Sequence, residues 1–308
     1  MDKHSDVDVD VFEQAEDVQA SNHNLVWSSL SPSAMLSLEE ADQLLRWRDA
    51  SIIAIVAERN SGKTTLITEI YGRFLYGPFA GACFCHSLSL LGFEKKSFQS
   101  RAKSGSKYPD TPRTSAQDGL HFFHLALSNE CDLQRHDLLI SERAGEAYRD
   151  IRNKPDQADD MVEIRKAKTV VFVIDGERVA APRMRAEVFA SVRNIIRAIV
   201  DTGNIAVQAQ VQLVATKCDL LDGEHMEEAR EALSLFEKTI IEMLAGKFDV
   251  TTFHTTARDP TAVVEPASGL APLLISWLRP IPPVALVNLK MPELLNEFDR
   301  LLLRRFGL

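Results

Sequence analysis

Apolar runs of strand length alternate with stretches of helical spacing along most of this chain. Residues 51–57 (SIIAIVA) are an unbroken apolar run, β-branched and too short for a helix, so they read as a strand buried on both faces. Residues 63–74 follow at helical spacing. Residues 119–127 and 137–140 read as strands, and 169–175 (TVVFVID) as a third buried one. Then come helical spacing over 184–200, a strand over 211–216, a helix over 224–244, a strand over 250–255 and a helix over 269–278. Ser37-Leu38-Glu39-Glu40 matches a capping box and opens a short helix within 31–49. This alternation predicts an α/β fold in three layers, a mostly parallel sheet with helices on both faces. Residues 76–118 depart from the rhythm: they have little periodicity and read as a long irregular connection. Pro280, Pro282 and Pro283 break the chain. A last apolar stripe, Leu294, Leu295, Phe298, Leu301, Leu302 and Phe306, predicts an amphipathic helix within 281–308. The expected organisation is a polar acidic tail over 1–30, a helix in 31–49, one domain over 50–280 and that terminal helix.

Composition narrows the possibilities. Hydrophobic residues make up 45% of 308, a globular proportion, and no apolar run reaches the length that inserts in a membrane. The formal charge of -9 speaks against a general nucleic-acid surface. One local reversal of sign stands out: Lys95, Lys96, Arg101, Lys103, Lys107 and Arg113 lie in 76–118 against Glu94, Asp110 and Asp118. Cys83, Cys85, Cys131 and Cys218 form no CxxC pair, which fits a reducing cytoplasm. Cys83-Phe84-Cys85-His86, His121 and His124 lack a second pair at metal-site spacing and read as hydrogen-bonded or buried side chains.

The chemistry is concentrated after the first buried strand. Ala57-Glu58-Arg59-Asn60-Ser61-Gly62-Lys63-Thr64 fits the pattern A/G-x-x-x-x-G-K-T, with a strand before it and a helix after. Backbone N–H groups of Arg59, Asn60, Ser61, Gly62 and Thr65 at a helix start would bind phosphate. Gly62 lets the backbone approach closely, Lys63 would neutralise phosphate charge, and the Thr64 hydroxyl would bind Mg²⁺. Ala57 in the first position requires a negative φ there. Thr216-Lys217-Cys218-Asp219 falls at the end of a later strand, where ligands of open α/β sheets bind. A carboxylate at Asp219 can accept from both N1–H and the 2-amino group of guanine, a pattern adenine does not offer. Lys217 would lie along the base, and Thr256-Ala257 at the next strand end would give an N–H to guanine O6.

These segments, with Glu142-Arg143-Ala144-Gly145 between them, resemble the motifs of Ras-like P-loop GTPases of the TRAFAC class over residues 50–280. The resemblance implies bound GTP or GDP with Mg²⁺. It places Gly145 at the γ phosphate and Glu142 where an Asp normally holds the metal. Glu146 falls where a Gln often orients water, and Thr114, or alternatively Thr111, is the loop threonine on the metal. Arg113 is then either an arginine finger or a solvated side chain. The stretch from Phe79 through Leu127 is similar to the long switch region of double-GTPase proteins of bacterial conflict systems. That likeness implies a bacterial cytoplasmic protein acting with protein partners in anti-phage defence, through residues 76–118 or the terminal helix. Two other readings stay open. One is an ATPase with Asp175 as its acidic metal ligand. The other is a non-catalytic, nucleotide-binding scaffold subunit, favoured by Glu142 and Glu146.

Overall fold

The computed structural model describes residues 34–98, 119–130, 134–152, 154–258, 267–280 and 297. The tail expected over 1–30 lies outside them, as does the helix expected over 281–308 apart from Glu297.

The first buried strand, β2 (Ala50–Val56), is central, and its alternation builds the two faces. Ile52, Ala54 and Val56 enter one apolar cluster, while Ile53, Ile55 and Ala57 enter the other. A period of two on a strand covered from both sides requires this division. Each of the buried isoleucines and the valine contributes about 1.5–3 kcal/mol of apolar transfer. On one face pack α2 (Lys63–Phe74), α3 (Leu90–Phe98) and α9 (Leu270–Leu278), through Leu66, Ile67, Ile70, Phe93, Leu273 and Trp277. The other face carries α1 (Leu38–Trp47), α4 (Gly145–Ile151), α5 (Val162–Arg165), α7 (Pro182–Asp201) and α8 (Glu227–Leu244).

Sheet order among the described strands runs β1 (Leu36–Ser37), β4 (His121–Asn129), β5 (Arg135–Glu142), β2, β6 (Thr169–Asp175), β7 (Gln210–Thr216), β8 (Val250–His254). Strands β5, β2, β6, β7 and β8 are mutually parallel, and β4 runs antiparallel to β5. The outer edge of β4 is shared: β1 pairs with its start and β3 (Ala82–His86) with its end. The three-layer, mostly parallel α/β expectation holds. The capping box does too: Ser37 N–H donates to Glu40 Oε2 (2.8 Å) and Glu40 N–H to Ser37 Oγ (3.2 Å), opening α1.

Residues 76–118 are not irregular throughout. They contain β3 and α3, and residues 99–118 lie outside the described set. Neither element announces itself because neither has a clean apolar period. In β3 only Ala82 is buried. In α3 the buried positions are Gly92, Phe93 and Ser97, with Phe93 stacked on Tyr71 and tilted against Phe123. A Cβ on Gly92 would stand 1.5 Å from the Ala34 carbonyl oxygen. Gly92→Ala is therefore expected to lower folding stability by about 1–3 kcal/mol, the ordinary cost of overpacking, read by urea unfolding.

The turn between β3 and α3 rests on His124, which is fully buried. Its Nδ1 accepts from Leu88 N–H (3.0 Å), so Nε2 carries the proton toward Asp137 Oδ1 (2.9 Å). Burial holds this imidazole below its ordinary pKa, against the opposing pull of Asp137. Burial also lifts the Asp137 carboxyl, but bonds from Arg135 and His124 outweigh it and the net shift is downward. His124 is thus a structural histidine, as its sequence context indicates.

Candidate functional site

The loop between β2 and α2 sits where the parallel strands end, and every sequence motif within the described residues converges on it. Gly62 caps α2 with φ +83°, a left-handed value that only glycine adopts cheaply. Asn60 is also left-handed at φ 63°, whereas Ala57 keeps a negative φ, as its place in the motif requires. Ser61 closes the loop on itself, its Oγ donating to the Glu58 carbonyl (2.7 Å). Thr65 lies in the first turn of α2, its carbonyl accepting from Thr68 Oγ1 (3.2 Å). From the next strand but one, Thr216 Oγ1 donates to the Ser61 carbonyl (2.7 Å), tying β7 to the loop.

Lys63 and Thr64 open α2 and meet the turn after β5. Thr64 Oγ1 donates to Glu142 Oε1 (2.8 Å), and Lys63 Nζ lies 3.6 Å from Glu142 Oε2. Lys63 also donates to the Arg143 carbonyl. Burial draws the Lys63 ammonium below the ordinary lysine range, and the Glu142 carboxylate opposes that shift. The extra methylene of Glu142, relative to the Asp of the resembled motif, lets its carboxylate reach Thr64 directly. A hydroxyl and a buried carboxylate side by side are hard oxygen donors, which suits Mg²⁺. Gly145 packs flat on the loop: a Cβ there would fall 2.3 Å from Arg59 N and 2.5 Å from Glu58 C. Glu146 pairs loosely with Arg59, Nε to Oε1 at 3.9 Å, so its charge faces a cation of the loop. Arg113, Thr111 and Thr114 lie outside the described residues.

The segment after β7, expected to read the base, closes the other side. Lys217 has φ 54°, and its Nζ reaches Asn60 O (2.8 Å), Asp175 Oδ1 (3.0 Å) and Glu177 Oε2 (2.7 Å). Burial works against its charge, but Asp175 and Glu177 outweigh it and hold the ammonium above its ordinary range. Cys218 N–H donates to Thr255 O (3.2 Å), and Asp219 N–H to Thr256 Oγ1 (3.0 Å). Thr256 N–H donates to Ser268 O (3.0 Å), which leaves Ala257 beside the same strand end. The Asp219 Oδ1 atom is shut off from solvent.

Asp175 lies on this side, against Lys217 and Glu177. Its Oδ1 accepts from Glu177 N–H (3.1 Å), capping the short α6 (Gly176–Ala180), and pairs with Lys217, while Thr64 takes Glu142. The sequence match to the family described as Double-GTPase 2 spans residues 51–278. The chain belongs to the Double-GTPase 2 family.

Solved structures that match include three described with GTP, a GTP analogue or GDP. The signal recognition particle receptor SRb-GTP/SRX complex from Chaetomium thermophilum matches at 12% identity and TM-score 0.40, over 75% of this chain and 96% of that one. Translation elongation factor SelB from Methanococcus maripaludis, in complex with the GTP analogue GppNHp, matches at 14% and 0.38, over 77% and 36%. Roco2 RocCORdC from Methanosarcina barkeri, bound to GDP, matches at 10% and 0.36, over 74% and 49%. No curated protein matches the sequence. As a Double-GTPase 2 protein the chain is a GTP-binding protein with the three-layer P-loop fold. Among the described residues, no helix is long and apolar enough to cross a membrane.

Sequence reasoning missed the buried polar struts of this family member. Glu58, inside the loop, accepts from Arg178 Nη1 (2.5 Å) and Ser191 Oγ (2.6 Å). One signal could have exposed it: a carboxylate in an anion-binding loop demands a cation partner. Arg258, next to Ala257, donates to Glu69 on α2 (2.8 Å). Arg143 and Tyr148 both bond Glu163, and nothing in the sequence marks Glu163.

Proposed function

We propose that this protein is a GTP-dependent molecular switch, hydrolysing GTP slowly or with stimulation by a protein partner. One observation carries the reading: Lys63, Thr64 and Glu142 on one side of the loop and Lys217, Asp219 and Thr256 on the other meet around a single strand-end cradle. In this reading the loop amides of residues 59–65 hold the α and β phosphates. Lys63 turns from the Arg143 carbonyl to the β and γ phosphates. Thr64 and Glu142, with Thr114, are the residues that would hold Mg²⁺, which neutralises charge between the β and γ phosphates when bound. Gly145 offers its N–H to the γ phosphate, and Arg59 keeps the Glu146 carboxylate from facing it alone. Asp219, Lys217 and Ala257 select guanine. Arg113 and Glu146 are the candidates for assisting hydrolysis. The family likeness supports a setting in bacterial defence with protein partners, engaged through residues 76–118 or the terminal helix.

Competition against labelled GTP tests the reading. GDP is expected to displace it at least about 100-fold more effectively than ATP, since a buried carboxylate facing the wrong base is left unsatisfied. Displacement by ATP at the GDP concentration would sink the guanine assignment and return Asp175 to consideration. Single-turnover phosphate release then separates a switch from a scaffold: tight GTP binding without any release, with or without partner, favours the scaffold.

A further inference from the structure

The turn that would sense the γ phosphate has its own anchor outside the sequence motifs. We propose that Glu163 is a positioning residue for that turn: by fixing Arg143 it sets where the turn stands over the phosphate loop, and so sets the preference for GTP over GDP. This rests on the GTP reading above.

Glu163 lies on the four-residue α5 and is 1% exposed. Both of its oxygens are engaged from one side. Arg143 Nε donates to Oε1 (2.7 Å) and Nη2 to Oε2 (3.0 Å), a two-pronged charged pair, and Tyr148 Oη adds a third bond to Oε1 (3.0 Å). Arg143 and Tyr148 flank Gly145, so two anchors on either side of the sensing residue run to one carboxylate. The same unit reaches the phosphate loop twice. The Arg143 carbonyl accepts from Lys63, and the Tyr148 ring lies under Lys63 with its centroid 6.0 Å from Nζ.

What Glu163 stands on matters as much as what it holds. The segment leaving α5 is bonded to the central strand, Lys168 N–H donating to the Ile52 carbonyl (2.9 Å). Ile164 is fully buried in the same cluster as Ile52. The strand that delivers the phosphate loop therefore also fixes the carboxylate that holds the turn. Loop and turn are referenced to one frame, and the Arg143–Glu163 pair is the adjustable joint between them. Loosening that joint leaves the loop amides and the base contacts in place. It disturbs only the Gly145 N–H and the Lys63 environment, which a γ phosphate needs and a diphosphate needs less.

The experiment compares equilibrium affinities for GDP and for the slowly hydrolysed analogue GTPγS in the full chain. Glu163→Gln keeps shape and one acceptor but removes the charge. It is expected to lower GTPγS affinity about tenfold or more, the worth of a charge-assisted bond, with GDP affinity within about twofold of wild type. Arg143→Lys keeps the charge, loses the fork, and is expected to move the ratio in the same direction. Its side chain is partly exposed, so this variant carries the test if Glu163→Gln does not fold. A GTPγS-to-GDP ratio that stays at the wild-type value in the folded variants, whether both affinities hold or both fall together, overturns the assignment. Failure of wild-type protein to bind either nucleotide would instead overturn the GTP reading, and the two failures are told apart by that one control.

Discussion

Lys63→Ala is expected to abolish measurable GTP binding, a loss of at least about 1,000-fold, because two effects add. The first is the lost attraction. Lys63 is the cation at the start of α2, 7% exposed, and a charge in so dry a place acts on a polyphosphate with little screening. The second is what the substitution leaves behind. Glu142 is fully buried with its Oε2 3.6 Å from Lys63 Nζ. Without the ammonium, that carboxylate would face the incoming phosphates with its nearest positive charge removed. A neighbouring change offers the contrast. Arg59 is half exposed, and its pair with Glu146 spans 3.9 Å, so Arg59→Ala forfeits only the about 0–1 kcal/mol of a surface pair. Titration with a fluorescent GTP analogue reads both variants. Wild-type affinity in Lys63→Ala would remove the loop from the nucleotide account altogether.

What the sequence could show follows from distance along the chain. The β2 strand, its loop and α2 were legible because burial on both faces, a glycine with left-handed φ and a helix start all lie within one short window. The ends of β6 and β7 were legible for the same reason, though α7 starts two residues earlier than its apolar spacing implies, because Pro182 suits a first helical turn. The struts were not legible. Thr216 to Ser61 is 155 residues, Ser191 to Glu58 is 133, and Arg143 to Glu163 is 20 across a turn and a helix. Such pairs exist only once the parallel crossovers have closed. The role of Asp175 shows the same limit from the other side. An acidic residue ending an apolar strand fits a metal ligand or a structural cap equally well, and its neighbour, Lys217 rather than Thr64, is visible only in the fold. The β3–α3 region was missed for a local reason. The buried positions of α3 are a glycine, one phenylalanine and a serine, and a face with so little apolar surface has little period to detect.

The half of the site proposed to select the base makes the sharpest chemical forecast. Asp219→Ala is expected to weaken GTP binding by roughly 100-fold, from the loss of one charged partner in a desolvated site. Asp219→Asn is more informative, because it changes the pattern and nearly keeps the volume. Guanine presents two donors, N1–H and the 2-amino group, and a carboxylate accepts both. An asparagine amide offers one acceptor and one donor. It therefore matches one edge atom of guanine and sets donor against donor at the other. Xanthine carries N1–H beside a carbonyl oxygen at C2, which fits that amide at both positions. The variant should accordingly prefer xanthosine 5′-triphosphate to GTP, reversing the wild-type order in a competition assay. The segment is held by its backbone, through Cys218 N–H to Thr255 O and Asp219 N–H to Thr256 Oγ1, so the exchange leaves the frame standing. Lys217 stays fixed by Asp175, Glu177 and the Asn60 carbonyl. A variant that still ranks GTP first would mean that Asp219 does not read the purine edge, and guanine preference would then have to come from the Thr256-Ala257 backbone alone.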